Sequence, residues 1–198
     1  MPLSVMLTLA LVSNTKHSDI KPVVNTLYMI EEVLNMFNPF EKSMEFVFEK
    51  EGRFSNDKDD PGGATNYGIT LMTLKDVGID VDGDGDVDVE DIRQLTPEVA
   101  MQIYKDKYWN ALDAGNIDWP LAVAAFDTAV NCGVGRTKRW LQQTTEKGGD
   151  VNYLLQLRTI HYLNIIQKNP VLGKYKRGWL NRVNDLKKYI EILKQNNP

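Results

Sequence analysis

The residues best equipped for chemistry lie between Glu51 and Thr70, EGRFSNDKDDPGGATNYGIT. A carboxylate, Glu51, closes an apolar helical segment. A second, Asp60, follows nine positions later, and Pro61-Gly62-Gly63, Thr65 and Tyr67-Gly68 come after it. Cleaving a bond between two sugars calls for such a set. One carboxyl group protonates the leaving oxygen, and the other activates water or faces the developing positive charge. Thr65, Asn66 and Tyr67 add hydroxyl, amide and aromatic groups suited to a sugar or a positioned water.

Glu51 is singled out by the helix that carries it. Projected at about 100° per residue, Phe40, Met44, Val47, Phe48 and Glu51 fall on one stripe, whereas Glu41, Glu45 and Glu49 point away. An acid aimed at an apolar interior is disfavoured in its charged form, as a proton donor requires. The same pattern also fits a buried glutamate satisfied by backbone or arginine contacts. Asp60 stands out from Asp57 and Asp59 because the Pro-Gly-Gly turn beside it fixes a direction for its side chain. Asp57 and Asp59 read as solvated loop charges.

The segments around this stretch read almost entirely as helix. From Pro22, the residues Val23, Leu27, Ile30, Leu34 and Phe37 form one helical face, and Asn38-Pro39 then breaks the chain. Helices are expected over 40–51, 71–77, 97–110, 119–130, 136–145, 151–168 and 176–194. Thr96-Pro97-Glu98 gives the third of these its start, and Gly133 and Gly135 close the fourth. LAVAAF, within that fourth helix, is apolar on nearly every side and belongs at the centre of the core. A small hairpin fits within 53–69. The expected fold is mainly α, with residues 1–38 as an N-terminal helical extension and 39–198 as one domain.

Residues 80–91, DVDGDGDVDVED, follow the spacing of an EF-hand calcium loop. Asp80, Asp82 and Asp84 take the first three ligand positions and Gly85 the sharp turn. Asp86 offers its carbonyl, Val87 is the apolar residue, Asp88 acts through water and Asp91 closes the loop in place of glutamate. Five acidic residues at alternating positions repel one another without a cation. The expectation is a structural calcium ion, against the plainer alternative of a solvated acidic turn. A module binding cohesin would carry two such loops.

The chain has 198 residues, 42% of them hydrophobic, and a formal net charge of -4. Much of the acidity sits in 80–91, so the remainder is slightly basic. That balance excludes a general nucleic-acid binder and suits an anionic polymer such as a bacterial cell wall. Leu3–Val12 is too short to span a bilayer, which takes about 20 residues. No basic residue precedes Lys16, so a standard signal peptide is not expected. Cys132 is the single cysteine and reads as a buried structural thiol. His17 and His161 lack the spacing of zinc ligands.

EGRF…DDPGGATNYGIT, YKDKYWNAL at 104–112 and FDTAVNCGVGRTKRWLQ at 126–142 resemble glycoside hydrolase family 108, the phage and bacterial N-acetylmuramidases. The resemblance spans about 150 residues, from 40 to 190. It implies a lysozyme-like helical fold, with 95–190 as a peptidoglycan-binding-like helical part. It further implies hydrolysis of the β-1,4 bond between N-acetylmuramic acid and N-acetylglucosamine by a monomeric enzyme made in the cytoplasm and acting on the cell wall. Glu51, Asp60 and Thr65 then match the family's glutamate, aspartate and threonine, with Trp109 and Asn131 as cleft candidates. Trp109 fits the core equally well. Arg53 replaces the second glycine of the family's E-G-G, and Lys50 stands where a histidine is common. Two other readings remain open, a lytic transglycosylase and a non-catalytic wall-binding protein.

Overall fold

The computed structural model describes residues 37–52, 54–56 and 63–196. The expected helix over Val23–Phe37, apart from Phe37 itself, lies outside them, as do Arg53, Asp57, Asp59 and Asp60. The chain divides after Asn38, and the second unit, Pro39–Pro198, is described below.

That unit is mainly α and lysozyme-like in character. Helix α1 covers Pro39–Lys50 and buries Phe40, Ser43, Met44, Phe46 and Val47. Its buried stripe is wider than the projection implied, because Phe46 also turns inward and packs at a tilt against Tyr189. Strands β1 (Thr65–Asn66) and β2 (Ile69–Thr70) pair antiparallel, Thr65 opposite Thr70 and Asn66 opposite Ile69. Ser55 adds a bridge to Thr65 on the other side. Helix α2 (Leu71–Val77) starts at once, its N-cap Thr70 accepting from the Thr73 amide. Short α3 (Val89–Gln94) follows the acidic loop.

Thr96 caps α4 (Pro97–Tyr104) as the sequence indicated, accepting from the Val99 amide at 3.3 Å. The helical path then continues over Lys105–Asn110 with π geometry. Helix α5 (Trp119–Cys132) is the hub: Ala122, Val123, Ala124, Ala125, Phe126 and Ala129 are fully buried. Phe40, Trp109 and Phe126 meet edge-to-face around it, with centroids 5.4–5.8 Å apart. Helix α6 (Val134–Thr145) begins after a single residue, Gly133, whose φ of 85° favours glycine. Gly135 therefore sits inside α6 and does not close α5, a correction to the sequence reading. Helices α7 (Val151–Lys168) and α8 (Lys176–Asn196) complete the unit. No helix among the described residues is long and apolar enough to cross a membrane.

Candidate active site

Glu51 extends α1 by one hydrogen bond, its amide donating to the Val47 carbonyl at 2.8 Å. Its side chain is 25% exposed and meets a guanidinium: Arg182 Nη1, from α8, donates to Oε1 at 2.7 Å. The carboxylate is thus not enclosed by apolar groups, as the helix projection suggested. The arginine contact that the projection left open is the one observed. Arg182 also donates from Nε at 3.0 Å and from Nη2 at 2.7 Å to Oδ1 of Asp127 on α5. Asp127 Oδ2 accepts from Arg158 Nη1 of α7 at 2.6 Å, and Arg158 Nε donates to the Tyr162 hydroxyl at 2.9 Å.

Asp127 and Arg158 are sealed from solvent. Burial pushes the Asp127 carboxyl up, but the charges of Arg158 and Arg182 and their hydrogen bonds outweigh it and hold Asp127 below its ordinary value. Burial likewise opposes the charge on Arg182, and Asp127 and Glu51 more than restore it, so this guanidinium stays charged. Burial raises the Cys132 thiol, as a structural role implies.

On its other side Glu51 touches the hairpin turn. Tyr67 and Gly68 both have positive φ, 49° and 75°, the requirement of a two-residue primed turn. A Cβ at Gly68 would lie 2.8 Å from Glu51 Cγ and 3.0 Å from Oε2, and would collide with the Tyr104 hydroxyl. That hydroxyl donates to the Tyr67 carbonyl at 3.1 Å. Burial, with the Glu51 charge next, pushes it far above the ordinary tyrosine value, so it remains a donor. Phe48 packs beside Tyr67, with ring centroids 5.4 Å apart. Gly68→Ala is expected to cost about 1–3 kcal/mol, through clash and a disfavoured φ, and to lower activity with it. Thermal melting alongside an activity assay checks this.

The structure thus brings together Glu51, Tyr67 and the Gly68 backbone. Thr65 is half-buried in β1, its hydroxyl 3.4 Å from the Gly63 carbonyl. Asp60 lies outside the described residues. Asn66 is buried and donates its amide to the Ile92 carbonyl at 3.0 Å, which docks the hairpin on α3 and commits the group proposed for substrate. Trp109 takes the core alternative, 8% exposed against Phe40 and Phe126. Asn131 donates to the Asp127 carbonyl at 2.8 Å and so borders the charged cluster. Lys50, at the family's histidine position, pairs with Asp185 at 2.8 Å.

Sequence reasoning passed over Asp127, Arg158, Arg182 and Tyr104. A signal existed for Asp127, a lone acid within the apolar run LAVAAFDTAV. None marked the two arginines.

Residues 44–133 match the glycosyl hydrolase 108 family. The resemblance read in the sequence is therefore matched by a family model over this segment, which is less than half of the chain. The matched family 108 segment holds Glu51, Thr65, Tyr67 and Asp127, whereas Arg158 and Arg182 lie beyond it. The structure of Brucella abortus SagA is similar, with a TM-score of 0.62 and 25% sequence identity, covering 77% of this chain and 94% of that one. No curated protein matches the chain significantly.

Proposed function

We propose that this chain is a family 108 muramidase that hydrolyses the β-1,4 bond between N-acetylmuramic acid and N-acetylglucosamine in peptidoglycan, as an endolysin or cell-wall lysis enzyme. One observation carries the reading: Glu51, in the family segment, is a partly exposed carboxylate gripped on one oxygen by Arg182 and lying against the Tyr67-Gly68 turn. In this reading Glu51 gives its proton to the leaving glycosidic oxygen. Asp60 activates water or faces the oxocarbenium-like charge, and Thr65 orients the water. Digestion of purified peptidoglycan tests it. Reducing muramic acid ends are expected; 1,6-anhydro ends would instead mean transglycosylation, and undigested glycan a binding protein.

We also propose that the acidic loop holds a structural calcium ion. Carboxylate oxygens of Asp80, Asp82 and Asp84 lie within 4.8 Å of one another, as do those of Asp86, Asp88 and Asp91. The first trio fits hard-cation chemistry, with Asp86 adding its carbonyl. The Asp84 charge, first among the causes, pushes the Asp86 carboxyl up, a repulsion that a cation relieves. Asp91 plays a different part from the closing ligand expected. It is 1% exposed, and its oxygens accept from the amides of Val81 at 2.6 Å and Asp88 at 2.7 Å, tying the ends of the loop together. Calcium at a hundredfold excess over Kd contributes about 2.7 kcal/mol, which for a domain of this size is roughly 5–10 °C in melting temperature. Chelation is expected to remove that increment; an unchanged melt would dismiss the ion.

A further inference from the structure

The geometry points to Arg182 as the residue that positions Glu51, with Asp127 as its buried anchor. This rests on Glu51 being the proton donor. Arg182 has five N–H donors in a rigid fork. Two of its nitrogens, Nε and Nη2, are committed to Asp127 at 3.0 and 2.7 Å, and Nη1 alone reaches Glu51. The place of the guanidinium is therefore set from the core. Asp127 is itself fixed on its second oxygen by the fully buried Arg158. A change of proton or rotamer at Glu51 leaves that double grip intact.

The grip also distinguishes the two oxygens of Glu51. Oε1 is the accepting oxygen, occupied by Arg182. Oε2 lies beside the Gly68 backbone, where only a residue without a side chain leaves it room. Oε2 is thus the oxygen that carries the transferable proton, and Arg182 keeps the carboxyl plane in one orientation. Arg182 touches the acid and not the reacting bond, so its role is positioning. With Glu51 ionised, as it is after giving up the proton, the charges of Glu51, Arg182, Asp127 and Arg158 balance in sign.

The test uses the full chain and soluble uncrosslinked glycan fragments of peptidoglycan, with kcat and KM measured separately. Arg182→Gln and Arg182→Lys are made alone and in the Glu51→Gln background, and Asp127→Asn is compared with them. Arg182→Gln is expected to lower kcat about 10–100-fold, the effect of a reacting group displaced by about 1 Å, with KM within threefold. Arg182→Lys recovers part of the loss. In Glu51→Gln, adding Arg182→Gln costs no further residual activity. An equal activity loss in both backgrounds would reduce Arg182 to a structural residue. A loss confined to KM would make it a substrate contact, and an unchanged kcat would remove the role. If Glu51→Gln alone stays fully active, the assignment of the acid fails first and the positioning role falls with it. If Glu51→Gln is inactive while Arg182→Gln is fully active, only the positioning role falls.

Discussion

Glu51→Gln is expected to lower the rate of peptidoglycan cleavage by about 10²–10⁴-fold, the range a general acid contributes, while leaving the fold intact. The substitution is nearly isosteric. The glutamine carbonyl still accepts from Arg182 Nη1, which in the native protein meets Oε1 at 2.7 Å. Asp127 keeps both of its guanidiniums, because Arg182 holds it through two other nitrogens. What disappears is the acid proton on the second atom. Glu51 is partly exposed, and a single ion pair at such a position is worth about 0–1 kcal/mol, so melting is expected to move by a few degrees at most. Reducing ends released from purified peptidoglycan, read beside a thermal melt, separate the two effects. Full activity in the glutamine variant would sink the assignment.

Arg158→Met is expected to be the most destabilising of the single changes considered, at about 3–5 kcal/mol. It leaves Asp127, with 2% of its side chain exposed, on Arg182 alone. The methionine replaces bulk but not charge or hydrogen bonds. Removing both partners, as in Asp127→Leu with Arg158→Met, is expected to cost less than the sum of the single changes. Among the described residues Arg158 Nη2 is buried without a hydrogen-bond partner, a cost that an apolar pair does not carry. Denaturant melts of the three variants measure this. Strict additivity would contradict it. The double variant is still expected to lose activity, since Arg182 then has Glu51 but no anchor. Acid acts on the same pair. Asp127 is held below the ordinary carboxylate value, near 4, so its contribution is complete above that pH and is lost as pH falls through the lower folded value.

How much of this was legible depended on range. Helical periodicity is local, and α1, α7 and the central burial of α5 follow from it, with α7 beginning and ending at Val151 and Lys168 as expected. The stripe on α1 separated Glu51 from its three neighbouring glutamates, but its carboxylate is 25% exposed and paired with Arg182, not sealed in the apolar interior that the projection gave it. The Tyr67-Gly68 turn emerged inside the segment expected to hold a hairpin. Residue type alone does not say which way a short strand faces, and so Asn66, suited to a sugar, turned inward to Ile92. Trp109 suited both cleft and core, and packing against Phe40 and Phe126 decided it. The charged cluster was the least visible part. Arg158 is 31 residues from Asp127, Arg182 is 55 from it, and Glu51 and Arg182 are 131 apart. No spacing rule links them. Only the docking of α7 and α8 on α5 makes them neighbours.

That separation sets an order of assembly. Glu51, the hairpin turn and Asp127 are all made well before α8, which comes after every other described helix and brings Arg182. A growing chain that has folded α1 and α5 owns its acid but not the cation that orients it. In the reading proposed above, the orientation of Glu51 waits on α8, the last helix among the described residues, so a nascent or truncated product holding the matched segment alone lacks it.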